Sequence, residues 1–598
     1  MNNYYGIHQC DFQLEARDRT RERNRGKKEQ RGNRSFRKLP ASIGIAILNL
    51  GLLLTPALVS RPAQGAEKIY ISYGPLEFTL PVSALEVYAK QGKITQDLAF
   101  YANYLDPKQR EQLRKVLVTR IDVTPLAIAQ FLYSPQGEVI LQRIGQIIQT
   151  KANQPGFYAI RAALILAAAD PEGLTPLNVL RKFPTYGIRI NTRRGFQVID
   201  RLSALIRQTE IAIAAVEQQA LTEAAAQSSG KTSPSPWVRN PNKFSQLPDL
   251  RQPGSIQYSM ETLMLNDLSR GRSFPVDFYL PTSPSRELAP LVVISHGLGS
   301  DRQTFQYLAT HLASYGFAVA VPEHPGSNAQ QFQALINGLA NEVTAPSELI
   351  DRPLDIKFLL DELKRSYSGR INWQQVGVLG QSFGGYTALA LAGAKINFEQ
   401  LQKDCDPSND FLNLSLLLQC RGLALPPTDY QLSDERVKAA IAINPIGSTM
   451  FGQSQLSKIQ VPLMLVAGSD DTAAPALPEQ IQPFTWLTTP NKYLVLLKDG
   501  THFSTLGASA DAVPLPVRVV GPTPEVARTY MKALSLAFFE TYIANKPEYR
   551  VYLNASYARF ISQYTLPLSL VESLTESQIK REGVKQGSTS QETPSPSP

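Results

Sequence analysis

The hydrophobic pattern changes character several times along the chain, and each change marks an element or a boundary. Ala41 to Val59 is a near-continuous apolar run. Lys68 to Val82 alternates apolar and polar about Tyr73-Gly74-Pro75, the pattern of a short hairpin. The period then becomes helical. A capping residue followed by proline recurs at Asp106-Pro107, Thr124-Pro125, Ser134-Pro135, Asp170-Pro171 and Thr175-Pro176. Each cap can accept an orphan N–H, and each proline falls where no N–H is needed. Apolar positions such as Ile140, Ile144, Ile147 and Ile148 recur at helical spacing, so residues 67–225 are expected to form an all-helical domain with these stripes as its core. Residues 226–249, with Ser-Ser-Gly-Lys-Thr-Ser-Pro-Ser-Pro, have linker composition. Beyond them the apolar runs are short: Leu291–Ile294, Phe317–Val321, Val376–Leu379, Val437–Ile443, Leu463–Val466 and Tyr493–Leu497. Amphipathic stretches such as Phe305–Ser314 and Leu354–Leu363 separate them. That alternation predicts an α/β domain over 250–570, a mostly parallel sheet with helices on both faces. Residues 571–598, rich in Ser, Thr, Gln and Pro, are expected to be a disordered tail.

Length and charge refine this picture. At 598 residues the chain exceeds one ordinary core, in line with two domains plus appendages. The net charge of +9 is concentrated at the front: residues 1–66 carry a net +7, leaving +2 for everything after. A nearly neutral folded body argues against nucleic acid as a partner, since phosphate binding needs clustered Lys and Arg. Basic residues from Arg17 to Lys38, then the apolar run, then Ala63, Gly65 and Ala66, follow the order of a secretory signal. The apolar run is also long enough for a membrane anchor, although Asn49 and Pro56 disfavour a permanent span. Either way the chain after residue 66 is expected in the periplasm or outside the cell, with membrane association through residues 1–66 if the leader is retained. Of three cysteines, Cys405 and Cys420 lie beyond the leader. One disulfide and two free thiols are both open readings. No CxxC or HExxH pattern points to a metal.

The chemistry is concentrated in Gly380-Gln381-Ser382-Phe383-Gly384-Gly385, directly after a strand pattern and directly before the helical run Tyr386–Ala394. A strained strand-to-helix turn of this kind exposes the serine oxygen. A serine hydroxyl needs a base to take its proton. Of five histidines only His502, in Asp499-Gly500-Thr501-His502-Phe503, follows the serine, as the Ser, acid, His order requires. His8 lies in the leader, His311 in an amphipathic helix, and His296 and His324 each after a strand. The acid should leave the strand at Leu463–Val466, where Asp470 and Asp471 compete. Oxyanion donors are expected from the backbone N–H of Phe383 and from the loop His296-Gly297-Leu298-Gly299, with Leu298 as the second donor.

From about Val292 to Phe503 the sequence resembles the dienelactone-hydrolase-like α/β-hydrolases and, within them, the platelet-activating-factor acetylhydrolases. The residues that carry the resemblance are Ser295-His296-Gly297-Leu298-Gly299, Leu312-Ala313-Ser314-Tyr315-Gly316-Phe317 leading to Glu323-His324, and the Ser382 motif. An N-terminal domain of unknown function joined to such a hydrolase is similar to predicted secreted bacterial dienelactone hydrolases. The resemblance implies a serine esterase without metal or organic cofactor, acting on small-molecule or lipid esters with short-chain or lipid-like acyl groups. It also favours Asp471, in G-x-x-D shortly before Pro475, as the acid, with Asp470 as a turn residue. Serine where the dienelactone hydrolases proper use cysteine tells against their specific substrate. Two rival readings stand: a serine peptidase of the same fold, against which the helical N-terminal pattern speaks, and an envelope binding module with an inactive hydrolase scaffold. The long stretch between the nucleophile helix and Val437, with Phe411, Leu412, Leu414 and Leu416 to Leu418, is expected to be a lid over the acyl pocket.

Overall fold

The computed structural model describes residues 65–73, 75–229, 241–282, 288–406, 412–510 and 515–589. The apolar leader, Gly74 of the hairpin turn, residues 230–240 of the expected linker, Phe411, and residues 590–598 lie outside the described residues. The described residues fall in one compact unit.

Its first part is helical, as the caps predict, but not all-helical. The expected hairpin, β1 (Lys68–Tyr73) and β2 (Leu76–Pro81), is joined by β3 (Ile148–Thr150) and β4 (Gly187–Ile190) in a sheet of order β2-β1-β4-β3. β3 was hidden because Ile148 also fits the helical stripe of Pro135–Ile147, and three- and four-residue strands carry too little alternation to register. Four of the five cap-proline pairs start helices: Asp106, Thr124, Ser134 and Thr175 each accept a backbone N–H three residues on, at 2.9, 3.1, 3.2 and 3.1 Å. Asp170 instead ends the Phe157–Ala169 helix, its carboxylate accepting from the Glu172 N–H at 3.0 Å in a tight turn.

The boundary regions are also more ordered than their composition suggests. The Thr192–Ser228 helix runs through the expected domain limit at residue 225, and Phe244 and Leu250, inside or next to the expected linker, are buried in the main core. In the expected tail, Leu574 is buried and the helix Glu576–Thr589 packs on Thr192–Ser228. A few apolar positions with tertiary partners outweigh the polar composition there.

The main sheet has nine strands: β5 (Tyr258–Asp267), β6 (Arg272–Pro281), β7 (Ala289–Ser295), β8 (Ala318–Pro322), β9 (Ile371–Gln381), β10 (Val437–Ile443), β11 (Leu463–Gly468), β12 (Lys492–Leu497) and β13 (Leu568–Val571). Their spatial order is β13-β12-β11-β10-β9-β7-β8-β6-β5. The six strands from β7 to β12 pair in parallel, while β5, β6 and β13 pair antiparallel at the edges. Both faces are covered, which is why the central strands read as continuous apolar runs. Within β7, Val292 and Ile294 pack with Leu308, Leu312 and Phe538 on one face, and Leu291 and Val293 with Leu359 and Leu360 on the other.

Candidate active site

The site lies where the parallel strands end, at their carboxyl edge. β9 ends at Gln381 and the helix Phe383–Leu391 begins at once, so Ser382 must turn the chain within one residue. It does so at φ 55° and ψ −115°, a region L-residues avoid at a cost of about 1–3 kcal/mol. Two glycines make the turn feasible. A Cβ on Gly380 would lie 2.0 Å from the Gly384 carbonyl oxygen, and one on Gly384 would lie 2.0 Å from that of Ser295.

β11 leads into Asp471 and β12 into His502. Asp471 Oδ2 is 2.7 Å from His502 Nδ1, and its Oδ1 accepts from the N–H groups of Ala473 and Ala474 at 2.9 and 2.7 Å. Both residues are buried. A carboxylate held by two amides fixes the imidazole's orientation and directs Nε2 away from itself. Asp470 points elsewhere: its carboxylate accepts from Ser469 Oγ at 2.9 Å and its side chain is exposed. Of the two adjacent aspartates, the structure pairs Asp471 with the histidine.

Two residues that sequence reasoning missed hold the histidine loop against the serine turn. Gln381 Nε2 donates to the His502 carbonyl at 3.0 Å, which brings His502 within one side chain of the residue preceding Ser382. Asn444, at φ 42° after β10, donates from Nδ2 to the Thr501 carbonyl at 3.1 Å. Gln381 lay inside the motif, but nothing local said which carbonyl it would reach.

The expected oxyanion residues lie on two different elements. Phe383 opens the helix after Ser382 with its ring fully buried. Leu298 lies in the loop after β7, where Gly299 takes φ 70° and donates its N–H to the Ser327 carbonyl at 2.9 Å. Leu298 and Phe503 border an open cavity of about 500 Å³, also lined by Phe332, Leu506, Leu515 and Val520.

Next to the Leu298 loop a polar cluster joins Ser295 and His324, from two of the sequence motifs, to Asp355, which has no local sequence signal. His324 Nε2 is 3.0 Å from Ser295 Oγ and its Nδ1 is 3.0 Å from Asp355 Oδ2, a second Ser-His-Asp set in outline. All three are wholly buried, and Asp355 is ion-paired to Arg270 at 2.9 Å and Arg272 at 2.8 Å, so this set has no route to a substrate. Burial, reinforced by Arg352, pushes the His324 pKa well below its ordinary value and keeps the ring neutral. His296 is likewise buried and neutral, and His311 is a core residue.

The segment expected to be a lid is a structural element. Leu418 is buried in the core that includes Phe383 and Tyr386 and Leu416 is also buried, while Leu414 is half exposed. None of the described residues 412–420 lines the cavity beside Leu298. Glu479 pins the segment, accepting from Ser415 Oγ at 2.9 Å and Gln419 Nε2 at 2.9 Å as well as from Asn413. A Cys405–Cys420 disulfide, with the Cα atoms 5.5 Å apart, closes it.

A mostly parallel sheet sheathed by helices, a strained serine at a strand-to-helix turn and an Asp–His pair at neighbouring strand ends define the α/β-hydrolase class. Comparison with known families agrees. Residues 65–191 match the family model described as an alpha/beta hydrolase of unknown function (DUF1400). Residues 224–352 match the one described as platelet-activating factor acetylhydrolase, isoform II. The chain is an α/β hydrolase that resembles the platelet-activating factor acetylhydrolases. The first match covers the β1–β4 unit, and the second ends at Arg352; neither stretch reaches Ser382, Asp471 or His502.

Proposed function

We propose that the chain is an exported serine esterase that cleaves carboxylic esters through an acyl-enzyme on Ser382. The observation that carries this reading is the strained Ser382 turn bound, through Gln381, to the loop of an Asp471-oriented His502. His502 Nε2 takes the Ser382 hydroxyl proton as Oγ attacks the ester carbonyl, and the carbonyl oxygen becomes an oxyanion facing the N–H groups of Phe383 and Leu298. The tetrahedral species collapses, the C–O bond to the alcohol breaks, and the imidazolium protonates the departing alkoxide. His502 then deprotonates a water that attacks the acyl-enzyme carbonyl; the C–O bond to Ser382 breaks, the imidazolium returns its proton to Ser382 Oγ, and the acid is released.

The apolar cavity beside Leu298 and Phe503 suits the aliphatic part of a short-chain or lipid-like ester. Export is supported by the order of the leader and by the Cys405–Cys420 disulfide, since such bonds persist in oxidising compartments. If the leader stays attached, Ala41 to Val59 is the segment that holds the enzyme at a membrane. Protein lacking residues 1–64 should hydrolyse p-nitrophenyl esters and take up one fluorophosphonate label. Labelling of Ser382→Ala, or absence of ester hydrolysis across chain lengths, refutes the reading. Cell fractionation of the full chain, with a cytosolic result counting against export, tests the location.

A further inference from the structure

Arg352, on the helix Glu348–Tyr367, is wholly buried. Among the described residues it makes no ion pair within 4 Å, although Glu348 and Asp355 flank it along the same helix. Those carboxylates are committed to other arginines: Glu348 to Arg272 at 2.7 Å, and Asp355 to Arg270 and Arg272. Burial pulls the Arg352 pKa down to about 9, opposed by the charges of Glu348 and Asp355. A desolvated cation without a contacting carboxylate is costly, and apolar residues fill a core more cheaply. What it touches therefore bears on why it is there.

Every contact of the guanidinium leads to one wall or the other of the expected oxyanion site. Nη2 donates to the His296 carbonyl, the peptide that opens the Gly297-Leu298-Gly299 loop, and to Ser295 Oγ at 3.2 Å. Nη1 donates to Ser327 Oγ at 2.8 Å, and the Ser327 carbonyl holds the Gly299 N–H at the far end of the same loop. On the other wall, the guanidinium carbon lies 4.5 Å from the centre of the ring of Phe383, the residue whose N–H is the first expected oxyanion donor. Nε donates to Thr387 Oγ1 at 3.3 Å, one turn further along that helix. One rigid, planar group thus spans both donor walls and sets their separation.

We propose that Arg352 is the positioning residue of the oxyanion site, fixing the Leu298 and Phe383 amides relative to each other and adding a fixed positive charge behind the position where the oxyanion forms. The inference rests on the serine-esterase reading above. Its rationale is that pre-organised donors stabilise the transition state only while they stay aimed at where charge develops. Lysine cannot replace the fork, because an ammonium presents no plane to stack on Phe383 and cannot hold Ser295, Ser327, Thr387 and the His296 carbonyl together.

The test compares Arg352→Lys, Arg352→Met and Ser327→Ala with wild type, all rates expressed per active site titrated with a fluorophosphonate. For both Arg352 variants kcat should fall about 10²-fold, comparable with loss of one oxyanion donor, while KM stays within about threefold. The Ki of a trifluoromethyl ketone, whose hemiketal oxygen occupies the oxyanion site, should rise in parallel with the loss in kcat/KM. Ser327→Ala, which removes one acceptor from the guanidinium, should lose about tenfold in kcat in the same pattern. A purely structural role lowers the titratable fraction and leaves kcat per site and Ki where they were; that result overturns the inference. If the Arg352 variants yield no folded protein, Ser327→Ala decides on the same readouts. Failure of the underlying reading is distinguishable, because it would show as an inactive wild type or as label retained by Ser382→Ala.

Discussion

At the scale of single residues, the adjacent carboxylates Asp470 and Asp471 separate sharply in their surroundings. Asp471 is buried, bound by two amides and by His502 at 2.7 Å, whereas Asp470 contacts Ser469 at the surface. Asp471→Asn should therefore lower kcat by about 10⁴-fold with the thermal midpoint little changed, and Asp470→Asn should stay within a few-fold of wild type. Steady-state kinetics on an ester substrate decide it, and a crippled Asp470→Asn would transfer the role. Ser382 and His502 stand out as candidates in the sequence because each lies next to a strand end in a short motif, whereas the same signal left Asp470 and Asp471 open and only the family resemblance favoured Asp471. Arg352, Gln381 and Asp355 do not stand out, since their partners lie 25 to 121 residues away and nothing local says which ones they reach. A second residue-scale consequence concerns pH. Burial, followed by the charge of Lys532, lowers the His311 pKa from 6.5 to about 4. Below pH 6.5 the unfolded chain binds this proton and the folded chain does not, so stability present above 6.5 is lost as pH falls toward 4. The loss from this site approaches about 3 kcal/mol. In thermal melts over that window, His311→Gln should show a shallower decline than wild type; parallel curves would remove His311 from the account.

Among the elements, the strands of the parallel sheet follow the apolar runs closely: Val437–Ile443 coincides with β10, and the runs at 463–466 and 493–497 lie within β11 and β12. Strands buried on both faces leave an undiluted signal. The insertion before β10 gave the opposite lesson, because its leucines suit a lid or a core equally well. Glu479, on the far side of β11, decides between them by gathering Asn413, Ser415 and Gln419 together with the Gly447 and Ser448 N–H groups at 3.1 Å each. Glu479→Ala strands these donors in a buried site and should cost about 3–5 kcal/mol, measured by urea unfolding. Glu479→Gln, which keeps an acceptor oxygen, should cost clearly less; equal losses would mean that packing, not hydrogen bonding, anchors the segment. The disulfide acts on the same element. With its cysteines 15 positions apart it should contribute about 3 kcal/mol in the chain-entropy view, so reduction should lower the unfolding midpoint of wild type but not that of Cys405→Ser/Cys420→Ser.

On the scale of the whole molecule, the N-terminal part has an apolar cluster of its own, and the Thr192–Ser228 helix is the element that joins it to the core of the hydrolase sheet. Ala212, Val216 and Ala220 on this helix pack into the same apolar cluster as Phe383, Tyr386 and Leu494. Farther along, Glu217 pairs with Lys498 at 2.8 Å on the loop that leads to His502, Glu223 accepts the Glu572 N–H at 2.9 Å, and Gln227 accepts the Ser556 N–H at 3.2 Å. A linker at 226–249 would have let the hydrolase stand alone; a helix that runs from the small sheet into the larger core does not. Removing the N-terminal part would uncover an apolar face bordering the Phe383–Leu391 helix, so a protein truncated to residues 241–598 should be less stable and prone to association. A point substitution gives the cleaner measurement. Val216 is fully buried, and Val216→Asp places an unpaired carboxylate in that contact at a cost of about 3–5 kcal/mol. If the two parts unfold as one, calorimetry should show a single transition in wild type, and Val216→Asp should move that whole transition down with esterase activity lost along the same curve. Two resolved transitions in wild type, with activity tracking only the upper one, would show instead that the hydrolase sheet is stable without the helix that crosses onto it.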